Sequence, residues 1–184
     1  MYFKKLVGKK CYLSPIDVDD VEQFTEWLND LEVTQNLILY PQIISVENEK
    51  EFLEKLVKEH TYSIIDIKKN KLIGNCGFNA VDNINQTAEV GIFIGDKKYW
   101  DKGYGTEALI LLMDYGFKAL NLHNIFLTVY SFNKRGLKSY EKIGFKIIGN
   151  KRESLLRDKK RFDIVFMDIL YDEFYKKNQS LVIG

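Results

Sequence analysis

Apolar positions change their period several times along the 184 residues. Lys10–Leu13 reads as a first strand, ended by Ser14-Pro15. Asp17 offers an N-cap. Val18, Val21, Phe24, Trp27 and Leu28 then recur at helical steps, which predicts an amphipathic helix. A short helical turn is expected over 30–36, and 37–44 (LILYPQII) reads as an irregular loop broken at Pro41. Ser45 caps a helix expected to run to about His60, with Phe52, Leu53, Leu56 and Val57 inward. From Tyr62 the pattern turns strand-like. Tyr62–Ile67 and Lys71–Val81 predict a hairpin closed at Lys69-Asn70-Lys71. A strand over 88–95, a long helix from Gly103 to about Leu120, a strand over 124–129 and a helix over 133–143 follow. Strands over 145–156 and 161–170, joined by Arg157-Asp158-Lys159-Lys160, complete the order, and the polar tail from Asp172 is expected to fray. The chain therefore reads as one mixed α/β domain over 1–184 with a largely antiparallel sheet.

The most informative stretch is 88–108, AEVGIFIGDKKYWDKGYGTEA. An apolar strand gives way to a polar turn, to Gly103-Tyr104-Gly105, and then to the start of a long helix. Glycines let a backbone turn its N–H groups toward an anion, and a helix N-terminus adds unpaired donors and the positive end of the macrodipole. A phosphate-bearing cofactor is expected here. Gly103–Ala108 also fits G-x-G-x-x-A, the dinucleotide fingerprint. The context opposes that reading. Seven residues separate the strand from the first glycine, and 122–129 lacks the acidic residue a dinucleotide fold needs there. The nucleotide P-loop pattern G-x-x-x-x-G-K-[ST] is absent, which leaves the pyrophosphate of coenzyme A as a third option.

The next segment bears on the choice. After the strand NIFLTV (124–129) comes NKRGLKSYEKIGF (133–145), with Asn133 as N-cap and Gly144 as the helix stop. With WDKGYGTEAL upstream, this resembles the GNAT superfamily of acyl-CoA N-acyltransferases. AEVGIFI, MDYGF, LNLHNIFLTV and YEKIGF are similar to its ribosomal-protein N-terminal acetyltransferases and spermidine acetyltransferases. The resemblance spans about residues 9–172 and is strongest over 88–145. It implies the GNAT fold: a mixed, mostly antiparallel seven-stranded sheet, splayed between 88–95 and 124–129, with helices on both faces. It also implies acetyl-CoA as cosubstrate and a homodimer through the last strands. Two positions depart from the wider family: Trp100 where Arg or Gln is common, and Gly136 where Ala or Ser is common.

Acyl transfer to an amine requires a polarised thioester carbonyl, a deprotonated amine and a protonated leaving thiolate. The resemblance assigns the pyrophosphate to Lys102, Gly103, Tyr104, Gly105 and Thr106. It puts backbone donors at Phe93 and Ile94, with Gly95 beside them, and a pantetheine contact at Asn133. Tyr140, seven residues after Asn133, matches the family's general acid, and a phenol stays protonated at pH 7. Its plainer alternative is a core tyrosine. Glu89 is the candidate base, against a strand-end surface carboxylate. Glu107 is expected to favour the helix dipole, and His123 to sit at a surface corner. The acceptor pocket is expected from 24–44, 82–89 and 155–162. Glu26, Asp30 and Glu32 there could attract a cationic amine or form a solvated face.

Composition narrows the partners. A net charge of +1 and only short basic runs give no nucleic-acid surface. Cys11 and Cys76 lie in apolar segments and are expected to be buried thiols in a reducing compartment. With His60 and His123 they give no metal-ligand spacing. No secretory leader is read and no apolar run approaches 18 residues, so a cytoplasmic protein without a membrane span is expected. The expected activity is acetyl transfer from acetyl-CoA to a polyamine, another small amine or a protein N-terminus. The competing reading is a non-catalytic acyl-CoA-binding sensor or interaction module.

Overall fold

The computed structural model describes residues 1–179. Strands β1 (Leu6–Val7), β2 (Cys11–Pro15), β3 (Thr61–Asp66), β4 (Lys71–Asp82), β5 (Thr87–Ile94), β6 (Asn124–Tyr130), β7 (Lys146–Arg157) and β8 (Lys160–Leu170) form one sheet in the order β1-β2-β3-β4-β5-β6-β8-β7. Helices α1 (Val21–Leu28), α2 (Leu31–Thr34), α3 (Val46–Leu56), α4 (Tyr104–Ala119), α5 (Lys134–Ile143) and α6 (Tyr171–Asn178) flank it. The sheet is mostly antiparallel. β5 and β6 run parallel through three residue pairs, Thr87 with Asn124, Ala88 with Ile125 and Glu89 with Phe126. The count is eight strands rather than seven because β1, two residues long, pairs with β2 at the sheet edge.

The chain packs as two compact units. One comprises Met1–Asn79 with Gly91–Leu112, and the other Ala80–Val90 with the chain from Met113 onward. In the first, Tyr12, Ile16, Phe24, Trp27, Val33, Leu53, Ile65 and Leu72 make a buried cluster. The α1 stripe behaves as its spacing predicts, with Phe24, Trp27 and Leu28 buried. Ser45 caps α3 by accepting from the Asn48 N–H at 3.2 Å. The helix is shorter and its inner face narrower than expected. It ends at Leu56, and Phe52 and Val57 are exposed. The inner row is Glu49, Leu53 and Leu56, spaced i, i+4, i+7, and Glu49 is only 4% exposed. The β3–β4 hairpin turns through Asn70 at φ 50°, a left-handed conformation asparagine tolerates. Both cysteines are buried free thiols.

In the second unit, Ile125, Leu127 and Val129 of β6 are buried, as are Val165, Met167 and Ile169 of β8. The β7–β8 hairpin turns through Asp158 and Lys159, both at positive φ, the geometry of a tight two-residue turn. The β7 register is interrupted between Ile147 and Gly149 and between Lys151 and Leu155. The tail does not fray at Asp172: it forms α6. Phe174 is fully buried against Phe117 at 5.2 Å between ring centroids, and the Asn178 amide donates to the Ile143 carbonyl at 2.9 Å. Tyr171, Phe174 and Tyr175 all pack on Phe117, and the Tyr175 hydroxyl donates to Asp114 at 2.8 Å, so a short aromatic row at i, i+3 and i+4 holds a helix whose other positions are polar. Among the described residues, no helix is long and apolar enough to cross a membrane.

Candidate active site

In the first unit the site begins where β5 ends. A Cβ at Gly95 would lie 2.1 Å from Trp27 Cδ2, so this position admits no side chain. The Gly95 N–H donates to the Ile73 carbonyl at 3.0 Å and is therefore not available to a ligand, contrary to expectation. The Phe93 carbonyl also faces β4, because a Cβ on Gly74 would come within 2.0 Å of it. Backbone groups alternate between the two edges of a strand. Phe93 therefore spends its backbone on β4, and Ile92 and Ile94 direct theirs to the other edge. Of the expected donors Phe93 and Ile94, only Ile94 lies, with Ile92, on the alternation that turns its backbone away from β4. The side chains alternate too. Ile92 and Ile94 lie 3.5 and 3.6 Å from the position of a Gly105 Cβ, whereas the Phe93 ring packs edge-on against Trp27 at 6.1 Å.

After Gly95, Asp96 caps a 3-10 turn (Lys97–Tyr99) by accepting from the Lys98 N–H at 3.0 Å. The Trp100 indole N–H donates to the Ile94 carbonyl at 2.8 Å, which gives this departure from the family pattern a structural use. Asp101 and Gly103 take left-handed backbone, at φ 57° and 81°, and the chain turns into α4. In the first turn of α4 the Glu107 N–H donates to the Gly103 carbonyl at 3.1 Å. Tyr104 and Gly105 thus have no carbonyl one turn earlier to receive their N–H groups. Two ammonium groups flank the turn: Lys102 Nζ donates to the Lys98 carbonyl at 2.7 Å, and Lys10 Nζ to the Lys102 carbonyl at 2.5 Å. Free donors, the positive end of a helix and two lysines together favour an anion.

The side chains of this turn are committed elsewhere. The Tyr104 hydroxyl donates to Asp66, so what Tyr104 offers a ligand is its backbone. The Glu107 carboxylate accepts from the Lys10 and Cys11 N–H groups at 2.6 and 3.1 Å, fastening the start of β2 rather than merely favouring a dipole. Lys97 Nζ pairs with Asp30 at 2.7 Å and Glu32 at 2.6 Å. Its hydrogen bond, more than its charge, holds the Asp30 carboxyl below the usual carboxylate range. Two of the three acids considered as amine attractants are thus already paired.

In the second unit, Glu89 sits on β5 between buried Ala88 and Val90 and points to the opposite face. Its Oε1 accepts from Thr128 Oγ1 at 3.2 Å. Asn133 caps α5, its Oδ1 accepting from the Gly136 N–H at 2.9 Å. A Cβ at Gly136 would lie 2.6 Å from Asn133 Nδ2, so this glycine lets the cap close. Gly144, at φ 121°, stops the helix. Tyr140 is half-buried on α5 with its ring edge-on to Phe145 at 6.0 Å. Burial pushes its hydroxyl up to about 12, with Arg135 pulling the other way. His123 is exposed, its backbone bonded to Gln86 and Tyr171. Among the described residues no three His, Cys, Asp or Glu gather as metal ligands would.

A strand, a polar 3-10 turn and then a glycine turn that opens a helix, in a mixed sheet with one parallel strand pair, are what the sequence resemblance implied for an acyl-CoA-dependent N-acyltransferase. Residues 10–146 match the family model of the acetyltransferase (GNAT) domain, and the chain belongs to that family. An uncharacterized N-acetyltransferase of Bacillus licheniformis is 28% identical over 92% of this chain and 97% of its own. A probable N-acetyltransferase of Bacillus subtilis (strain 168) is 31% identical over 82% of this chain and 88% of its own. The crystal structure of spermidine N-acetyltransferase from Vibrio cholerae, in complex with CoA and spermine, shares the fold. Its TM-score is 0.81 at 24% identity, covering 90% of this chain and 98% of that one.

Two contributors escaped the sequence reading. Ile92 was recoverable from strand alternation once the β4 side was known. Asp66, which ends the apolar strand YSIID, carried only the weak signal of an acid at the end of a buried run.

Proposed function

We propose that this protein transfers an acetyl group from acetyl-CoA to a primary amine, either a polyamine or other small amine or a protein N-terminus. The observation that carries the reading is the Gly103–Gly105 turn, where the N-terminus of α4 opens beside Lys10 and Lys102. These groups fit a pyrophosphate, and the neighbour from Vibrio cholerae was crystallised with CoA and an amine. Acetyl-CoA supplies an acetyl group activated as a thioester.

The chain's own residues then divide the remaining work. The backbone of Ile94, with that of Ile92, orients the carbonyl end. Asn133 has spent Oδ1 on its cap, and its Nδ2 remains a donor for the pantetheine arm. Glu89, held by Thr128, takes the proton from the amine directly or through a water. Tyr140 Oη holds the proton that the departing sulfur requires. Because burial raises that hydroxyl to about 12, it stays protonated at neutral pH.

Thiol release from acetyl-CoA over a panel of primary amines, including spermine, spermidine and short peptides, tests the activity. No release above background with any amine would leave a non-catalytic acyl-CoA-binding module. Tyr140→Phe separates the hydroxyl from the packing of the ring. In a single-turnover measurement it is expected to lower the rate by about 10²–10⁴-fold while CoA affinity holds. A parental rate would assign Tyr140 to the core.

A further inference from the structure

Asp66 ends β3 and is 2% exposed, yet none of the chemistry above uses it. Its Oδ2 accepts from the Tyr99 hydroxyl at 3.0 Å, and its Oδ1 from the Tyr104 hydroxyl at 3.3 Å and the Lys68 N–H at 3.3 Å. Tyr99 closes the 3-10 turn and Tyr104 opens α4, so the four residues between them, Trp100–Gly103, form a loop whose two ends are tied to one carboxylate. The two rings meet edge-on with centroids 4.9 Å apart. Neither tyrosine can shift without breaking a charge-assisted hydrogen bond.

The geometry points to Asp66 as the positioning residue of the phosphate-binding turn. Resting on the proposed function, this assigns the shape of the turn to a carboxylate behind it, which touches no ligand. The flexible element is the glycine turn. Its left-handed Asp101 and Gly103 make it the conformationally permissive part of the site, and the Tyr99–Asp66–Tyr104 clamp holds it in one conformation. Lys10 Nζ on the Lys102 carbonyl and Glu107 on the β2 backbone tie the same turn from its other side. Asp66 accepts from the two tyrosine hydroxyls and the Lys68 N–H, so the N–H groups of Gly103–Gly105 are not among its donors.

The clamp is tested with Tyr99→Phe and Asp66→Asn. The first removes one tie and keeps the ring; the second removes the charge and keeps the shape. Each is expected to raise the Kd for coenzyme A about tenfold by calorimetry, the loss of one charge-assisted hydrogen bond. S-acetylpantetheine lacks the pyrophosphate. Its kcat/KM, with any amine the parent accepts, is expected to stay within about twofold of the parent because it does not call on the turn. An unchanged coenzyme A affinity in Tyr99→Phe, whether or not Asp66→Asn folds, overturns the inference. So does an equal loss with S-acetylpantetheine, which marks a general structural defect. A parent that fails to bind coenzyme A overturns the proposed function itself and the clamp with it.

Discussion

The carboxylate of Glu49 gives the most direct test of how this chain balances packing against charge. It lies on the inner row of α3, 4% exposed, and among the described residues nothing donates a hydrogen bond to it or pairs with its charge. Burial alone pushes it up from its usual 4.5 to about 7. Below pH 4.5 the folded and unfolded chains both hold the proton. Between 4.5 and 7 only the folded chain holds it, so stability falls as pH rises. Above 7 both forms are ionised and the full penalty of a buried charge is present. Taken whole, a rise from 4.5 to about 7 is worth about 3 kcal/mol. A carboxylate that water still reaches is partly screened, so about 1–2 kcal/mol is expected. Glu49→Gln keeps the shape and removes the titration. The variant should match the parent near pH 4.5 and exceed it by about 1–2 kcal/mol at pH 8. For a chain of this size that is a Tm higher by about 2–8 °C. Thermal melts of both proteins across pH 4.5–8 make the comparison. An offset that does not change with pH, or a variant less stable at pH 8, would refute the claim that this carboxylate is buried without compensation.

Glu89→Gln should lower turnover by about 10²-fold at neutral pH and remove the acidic limb of the pH–rate profile, with coenzyme A affinity unchanged. Normal turnover across pH would reduce Glu89 to a strand residue bonded to Thr128. Gly95→Ala would force a methyl group against the buried Trp27 indole at 2.1 Å. We expect it to lose about 1–3 kcal/mol in denaturant unfolding, and an unchanged midpoint would show that Trp27 can move aside.

The parts of the fold legible in the sequence are those written locally. Asn133 and Gly144 bracket α5 as an N-cap and a left-handed stop, within the one segment they punctuate. Gly103 announces the turn before α4 in the same way. What the sequence hides is long-range. Gly95 is a glycine because of Trp27, sixty-eight positions earlier in the chain, and the backbone of Phe93 is consumed by a strand whose register no local pattern states. Asp66 reads as a strand-end acid until the structure brings Tyr99 and Tyr104 to it. The inner face of α3 is narrower than its apolar letters suggest for a related reason. Phe52 and Val57 are apolar, but the neighbouring elements cover only the row through Glu49 and Leu53. In α6 the opposite holds, since Tyr171, Phe174 and Tyr175 seat on Phe117 a helix whose other letters are polar.

The two ends of the sheet have a consequence for how the protein behaves in concentrated solution. An exposed strand edge is a template on which a second chain can add a strand, and long flat edges seed fibrous aggregates. At one end stands β1, whose two residues are too few to template such an addition. At the other, β7 carries exposed Ile147, Ile148 and Leu156, the kind of side chains that invite stacking. Its two register breaks divide it so that no paired run exceeds three residues, Gly149–Lys151 and Leu155–Arg157. Breaks of this kind bend and twist a strand, and Lys146, Lys151, Arg152 and Arg157 set charge among the apolar positions. The chain thereby keeps a greasy outer strand while denying it the straight, uncharged length from which a fibre could grow.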